Sequence, residues 1–415
     1  MSGSQGQLEA RATCTTMSPM AYLGRLTLLS LCVSLVCGSM VTDCGPQFQG
    51  KCLCGIVDYQ ERMHQYVVNC TNSGFKNTAM LEFLPSQTEV LIFTGNFIQE
   101  LPWNVFGTFT NLSHLRVVDM SNNGIREIKG KAYHRVANVE RLVLNHNDLV
   151  ISETESANYH HRRVFSNFVN LIELHLTDAF ADNTPENLAS DLHDIFVSSG
   201  LTKLIKLHLE QNEISIFKDP RIFCDLPSLM DLHLSDNLLT GLHFNITCLE
   251  HLRFLDLESN KIAGLTKEDL EILDSFPKRE QNLVLDLRDN PFLCDCAVQE
   301  LYTWLQTTKV EVRNRDMLRC HKGLPESNKG ELVLDVRQIQ CPLQMAASQS
   351  IASSHYATAV VLGLLLTVLA VLGIVVVYLY RADIKRGMTP IVNNVSRKVQ
   401  YTSIGRQPED QEMEV

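Results

Sequence analysis

Between residues 88 and 290 one spacing recurs eight times: an aliphatic residue, two more aliphatics three and five places on, and an asparagine eight places on, L-x-x-L-x-L-x-x-N. The sets Leu115-Val118-Met120-Asn123, Val139-Leu142-Leu144-Asn147, Leu204-Leu207-Leu209-Asn212, Leu229-Leu232-Leu234-Asn237 and Leu252-Leu255-Leu257-Asn260 follow it closely. So does the last copy, where Asn282 takes the first slot before Leu285, Leu287 and Asn290. Thr88-Leu91-Phe93-Asn96 is a weaker first copy, and Leu171-Leu174-Leu176 carries Ala179 in place of the asparagine. A strand this short cannot hide three aliphatic side chains by itself, so each copy must stack on its neighbours and share one core. The asparagine stands where the chain leaves the strand, able to pair backbone N–H and C=O groups that a tight turn would bury unsatisfied. Ala179 therefore predicts a locally distorted turn in the fourth copy.

This grammar resembles the leucine-rich repeat. The expected fold is an α/β solenoid: a curved leucine-rich-repeat array with disulfide-bonded N- and C-terminal caps, followed by one transmembrane helix. Six residues ahead of four first aliphatic slots stand Tyr133, Phe165, Phe223 and Ile246, either a convex spine or unrelated core residues, and structural in both cases. Several copies exceed the usual length of about 20–29 residues, with the excess at 148–170, 180–203 and 261–281. The first excess contains a polar stretch from Glu153 to Arg163 that should loop into solvent.

Two apolar runs flank the repeats. Arg25 precedes Leu26 to Cys37 and then Gly38 and Ser39, the layout of a signal peptide, with a buried helix as the other reading. Ala357 to Tyr380 holds 24 residues without a charge, enough at ~1.5 Å per residue to span a ~30 Å hydrocarbon core. Arg381, Lys385 and Arg386 follow it, which places the C-terminus in the cytoplasm and residues 40–356 outside. The expected order is signal peptide 1–39, N-terminal cysteine cap 44–87, about eight repeats over 88–290, C-terminal cysteine cap 291–341, stalk 342–356, membrane helix 357–380 and cytoplasmic tail 381–415. That is a single-pass type I protein of the plasma membrane.

An oxidising compartment turns cysteines into bridges. Of the 13 cysteines, Cys14, Cys32 and Cys37 fall in the leader, leaving an even number. Cys44, Cys52, Cys54 and Cys70 precede the repeats, and Cys294, Cys296, Cys320 and Cys341 close them. The closing set surrounds an amphipathic Val298–Leu305, whose Leu301 and Trp304 share a helical face that would seal the last repeat. Each set of four permits three connectivities, and zinc ligation is the rival that C-x-C spacing in a secreted chain disfavours. Cys224 and Cys248 hold nearly equivalent places in adjacent copies, and strands ~4.8 Å apart bring such neighbours within bridging range. Two free buried thiols are the other reading of that pair.

A closer likeness lies in "FTGNFIQELPWNVF" (93–106), "LVLNHNDLV" (142–150), "LPSLMDLHLSDNLLTGL" (226–242), "LDLRDNPFLCDCAVQELYTWLQ" (285–306) and "YLYRADIKRGM" (378–388). Over roughly residues 44–390 the chain resembles the trophoblast glycoprotein (Wnt-activated inhibitory factor) family of leucine-rich-repeat membrane proteins. Analogy with leucine-rich-repeat caps implies the bridges Cys44–Cys54, Cys52–Cys70, Cys294–Cys320 and Cys296–Cys341. The family resemblance implies an N-glycosylated cell-surface protein that binds extracellular or membrane protein partners. It also implies inhibition of Wnt/β-catenin signalling through a low-density-lipoprotein-receptor-related co-receptor. Adhesion to a partner on a neighbouring cell is the alternative function.

No G-x-S-x-G, H-E-x-x-H or G-x-x-x-x-G-K-[ST] occurs, so no enzyme activity, cofactor or metal is assigned. A net charge of −11 without a basic cluster excludes nucleic acid as partner. The x between the second and third aliphatics forms a column: Ile92, Asp119, Val143, His175, His208, His233, Asp256 and Asp286. His175, His208, His233, Asp231, Asp256 and Asp286 are the expected partner-binding residues, facing a basic or mixed patch. Stacked imidazoles are chemically able to sense acidification or hold a metal, but a solvated protein-binding face is the reading adopted. Asn69, Asn111 and Asn245 begin extracellular N-glycosylation sequons. In the tail, Tyr401 to Ile404 fits a tyrosine-based endocytic signal, and Val415 could place its carboxylate in the groove of a PDZ protein.

Overall fold

The computed structural model describes residues 44–108, 111–151, 164–182, 184–276, 282–296, 298–339 and 345–381, the last with side chains at 360–376 and 378–381. They fall into two compact units: residues up to 234 together with 244–254, and residues 235–243 together with 255 onward.

In the first unit the antiparallel hairpin β1 (Leu53–Tyr59) and β2 (Arg62–Asn69) opens a sheet. The sheet continues in parallel through β3 (Val90–Ile92); β4 (Glu100–Leu101) lies outside it; β5 (Val117–Asp119) pairs with β3. β6 (Glu127–Ile128) pairs with β4, and the main sheet goes on through β7 (Arg141–Val143) and β8 (Glu173–His175). Helix α1 (Pro185–Phe196) intervenes before β9 (Lys206–His208) and β10 (Asp231–His233). β11 (Phe254–Asp256) begins on the last residue of the first unit, and in the second come α2 (Lys267–Leu273), β12 (Val284–Asp286), β13 (Phe292–Cys294), α3 (Val298–Thr307), β14 (Glu311–Val312) and β15 (Cys320–Gly323). The second aliphatic of each copy forms the core of its rung: Val118, Leu142, Leu174, Leu207, Leu232, Leu255 and Leu285 are all fully buried.

Each rung ends in the same way. The residue before the asparagine slot is left-handed in all eight copies, Gly95, Asn122, His146, Asp178, Gln211, Asp236, Ser259 and Asp289, with φ between 49° and 67°. That turn points backbone groups inward, and the asparagines satisfy them. Asn123 donates to the carbonyls of Phe93 and Met120 at 2.7 and 2.8 Å and accepts from Asn96 N–H at 2.7 Å. Asn147 repeats the pattern, accepting from the N–H groups of Asn123 and Ile125. The distortion expected at Ala179 does not occur. Asp178 keeps φ 49°, and Ala179 N–H donates to Asn212 Oδ1 at 2.9 Å. The missing side chain is made good by backbone, since Asn147 N–H donates to the Asp178 carbonyl at 3.2 Å.

Two of the three length excesses are helical. α1 starts on Thr184, whose side chain accepts from Asn187 N–H, with Pro185 in the first turn, and buries Leu188, Leu192, Ile195 and Phe196. α2 carries a capping box between Thr266 and Asp269. The polar stretch within 152–163 lies outside the described residues. The four aromatic and aliphatic residues ahead of the slots are all buried: Tyr133 meets Phe165 and Phe168, while Phe223 packs with Phe196, Phe217 and Phe244.

Bridges join Cys44–Cys54, Cys52–Cys70 and Cys224–Cys248 in the first unit and Cys294–Cys320 in the second. Cys296 is disulfide-bonded, and Cys341 lies outside the described residues. In α3, Val298, Leu301, Trp304 and Leu305 are buried, and Trp304 Nε1 donates to Asp274 at 2.8 Å. A final helix, α4, runs Met345–Leu379. Its described side chains from Val360 to Val376 are exposed, and among the described residues no helix is long and apolar enough to cross a membrane. Tyr401, Ile404 and Val415 lie outside the described residues.

Candidate functional site: a histidine stack beside a column of alternating charge

Parallel strands in register put equivalent residues side by side, one strand spacing apart. In the first unit His175 pairs with His208 and His208 with His233. Because the spacing is close to the thickness of two rings in contact, the imidazoles stack. The centroids lie 4.1 and 4.2 Å apart and the planes are within 7° and 10° of parallel. Phe254 meets His233 edge-on at 5.1 Å and ends the run.

Side chains two residues apart leave a strand on the same face, so a second column stands beside the first. It reads Arg141, Glu173, Lys206 and Asp231, and the strand register places them next to one another in that order. Their charges alternate. Lys206 Nζ is 3.3 Å from Glu173 Oε1. Arg141 lies 2.7 Å from Glu173 Oε2 without the alignment of a hydrogen bond, so that contact is Coulombic. Arg253 grips Asp231 through Nε and a terminal nitrogen at 2.7 and 2.9 Å, a bidentate fork on a buried carboxylate. A cleft of about 440 Å³ opens among Tyr59, Arg62, Glu140, Arg141, Glu173 and Lys206.

The two columns meet at His175. His175 Nε2 lies 3.2 Å from Arg141 Nε and 3.5 Å from Glu173 Oε2. The nitrogen accepts from arginine only when unprotonated and donates to glutamate only when protonated. Burial holds the His175 imidazole below its usual value, against the nearby Glu173 carboxylate that favours the charged ring. The same approach of His175 is the largest influence on Glu173; burial opposes it, Arg141 and Lys206 add to it, and the carboxyl is held down at about 2.

Glu210 follows His208 by two residues and returns to the histidine column. Its Oε1 is 2.8 Å from His208 Nδ1 and 3.8 Å from His233 Nδ1, and its Oε2 accepts from Thr177 Oγ1 at 2.7 Å. Burial pushes Glu210 up, but hydrogen bonding and charge from His208, with the Thr177 hydroxyl, leave it lowered.

In the second unit the same column position is occupied differently. Asp286 is fully buried. Arg288 Nε reaches both of its oxygens at 2.9 and 3.2 Å, a terminal nitrogen adds 2.8 Å, and Arg313 lies at 3.5 Å. Arg288 also holds Glu258. Asp256 accepts from Glu258 N–H at 3.1 Å. Thus His175, His208, His233 and Asp231 share one face, while Asp286 has its carboxylate enclosed by arginine. Arg141, Glu173, Lys206 and Glu210 belong to the first-unit site although sequence reasoning gave them no role or only a neighbouring one. The alternation of sign two places before each histidine was the available signal.

The sequons differ in exposure. Asn111 is exposed, and Asn69 and Asn245 are partly so. The last two accept hydrogen bonds from the N–H and hydroxyl of Thr71 and Thr247.

In-register rungs closed by buried asparagines define a leucine-rich-repeat protein, and the family described as Leucine rich repeat matches residues 86–149. The chain is similar over most of its length to trophoblast glycoprotein. It is 27% identical to that of Macaca fascicularis over 77% of this chain and 74% of the relative, and 27% identical to that of Mus musculus over 74% and 71%. The crystal structure of human 5T4 (Wnt-activated inhibitory factor 1, trophoblast glycoprotein) aligns with a TM-score of 0.55 at 25% identity, over 66% of this chain and 94% of that one. Phospholipase A2 inhibitor from Gloydius brevicaudus siniticus is 30% identical over a shorter stretch, 28% of this chain and 33% of its own. These relatives point to a cell-surface leucine-rich-repeat glycoprotein of a class that binds protein partners.

Proposed function

We propose that this chain is a single-pass type I glycoprotein of the plasma membrane that binds a protein partner and inhibits Wnt/β-catenin signalling, with a low-density-lipoprotein-receptor-related co-receptor as the partner. The observation that carries the binding surface is the pair of adjacent columns, stacked imidazoles beside alternating Arg141, Glu173, Lys206 and Asp231. Partly buried charges of both signs orient a partner, and flat rings between them give it a surface to bury. Likeness to the human protein called Wnt-activated inhibitory factor 1 supports the pathway. Membrane anchorage rests on the sequence alone, the uncharged run 357–380 and the basic residues after it. Glycans at Asn69, Asn111 and Asn245, the Tyr401–Ile404 signal and capture of Val415 by a PDZ protein belong to the same reading.

A Wnt reporter in cells expressing the full chain tests it. Repression is expected, and Lys206→Glu with Asp231→Lys should remove it while the protein still reaches the surface. No repression together with cell aggregation would assign adhesion instead. Loss of mass on glycosidase treatment and protection of the tail from protease in intact cells check the topology.

A further inference from the structure

We infer that His208, Glu210 and His233 form a binding site for one divalent transition-metal ion, zinc being the ion this donor set fits. One ligand atom from each, an imidazole nitrogen of either histidine and a carboxylate oxygen, lies within 4.8 Å of the others. Two nitrogens and one oxygen are a donor set of intermediate softness, suited to zinc rather than to calcium or magnesium, which take oxygen.

The site is built rather than accidental in three respects. The two imidazoles come from adjacent strands in register, so their separation is set by the backbone ladder and not by loops. Glu210 Oε1 already faces both Nδ1 atoms, at 2.8 and 3.8 Å, and so marks the point where an ion would sit. Behind it, Thr177 Oγ1 holds the other carboxylate oxygen at 2.7 Å, the outer hydrogen bond that orients a metal-binding carboxylate. All three side chains are mostly buried, with 17–21% exposed, and Phe254 covers the outer ring.

Binding requires one local change. Zinc takes nitrogen at about 2.0–2.1 Å, and parallel rings aim their lone pairs side by side rather than at one point. Each imidazole must therefore turn about its Cβ–Cγ bond toward Glu210, a motion that leaves the strands in place. Three protein ligands leave a fourth position for water or a partner's side chain. The second-unit group Asp256, Glu258 and Asp286 meets the same distance criterion, but Arg288 is already paired with two of its acids. The inference is independent of the Wnt reading, because metal binding is measured on the protein alone.

The test uses full-length protein in detergent, stripped with a chelator and titrated with zinc chloride against a chromophoric competitor. About one equivalent of zinc per chain is expected. The double variant His208→Asn/His233→Asn and the isosteric Glu210→Gln should each lose it, and Thr177→Val should weaken it about tenfold. His146→Gln, a surface histidine paired with Asp178, should bind as the parent does. Cobalt in place of zinc should give visible d–d bands without thiolate charge transfer. No zinc bound by the parent chain, undiminished binding by Glu210→Gln, or a cobalt–thiolate band would overturn the assignment.

Discussion

His208 and Asp286 fill the same slot of the repeat, and their surroundings are opposite. Around His208 the partners are other rings and a glutamate shared between two of them, and the group keeps about a fifth of its surface in water. Asp286 has 1% of its side chain exposed and is met by two guanidiniums. One position in the grammar can therefore serve a face or serve the interior, and the neighbouring column decides which. Where that column alternates in sign, its charges satisfy each other and the slot stays open to a partner. Where arginine comes two residues after the slot, as Arg288 does after Asp286, it folds back on the acid and closes it.

The largest effect should come from removing the enclosed acid. Asp286→Ala leaves Arg288 and Arg313 without their common partner in a low-dielectric site, and breaking such a pair costs about 3 kcal/mol, reduced from the fully buried case because both arginines reach solvent. His208→Ala removes stacking and one hydrogen bond from Glu210, but Glu210 keeps the Thr177 hydroxyl, so the cost should be smaller, about 1–2 kcal/mol. Urea midpoints of the two variants measure the contrast. Equal losses would break the distinction drawn between the two slots.

Acidification probes the open face next. Glu173 is depressed to about 2 from 4.5, so its stabilisation is complete above pH 4.5 and is lost as pH falls toward 2. His175 is lowered from 6.5 by burial; the unfolded chain takes up that proton first, so this contribution also declines as pH drops below 6.5. Together they make stability fall on the acid side in two stages, the later one worth on the order of 2 kcal/mol. Glu173→Gln should flatten the stage between pH 4.5 and 2 and deepen the stage that begins near pH 6.5, because His175 loses the carboxylate that favours its charged form. A slope unchanged by Glu173→Gln would show that other carboxylates carry the acid limb.

Much of this was legible because a repeat converts spacing into position. Three aliphatics and an asparagine per copy were enough to align the histidines, since parallel register admits no slippage once the aliphatics must face one core. That the cysteines bridge followed from an oxidising setting, and Cys224–Cys248 from equivalent places in adjacent copies, while the cap pairings came from likeness to leucine-rich-repeat caps. What escaped was whatever depends on direction rather than spacing. The sequence shows Arg288 near Asp286 but not that its guanidinium turns back onto it, nor that Arg253 forks onto Asp231 across strands. The helices in the long copies were missed for another reason. Thr184-Pro185 and Thr266-x-x-Asp269 are sound start signals, but they sat in segments read as surplus length between rungs.

The smallest effect concerns the one rung that lacks its asparagine, and it lies in the same copy as His175. Elsewhere the side-chain oxygen of one asparagine accepts from the N–H of the asparagine before it, as Asn123 does from Asn96 and Asn147 from Asn123. At Ala179 that oxygen is missing and Asn147 N–H turns to a carbonyl. The left-handed residue ahead of it, Asp178, already has the geometry of every other copy, so Ala179→Asn enters a turn shaped to receive it. The new side chain replaces a 3.2 Å backbone contact with the bond found in the neighbouring rungs and should stabilise the fold by about 0.5–1 kcal/mol, read as a shift in the urea midpoint at unchanged slope. A loss of stability would mean that the fully buried Ala179 site has no volume for the amide. In that case the histidine rungs rest on a turn that packing, rather than hydrogen bonding, has shaped.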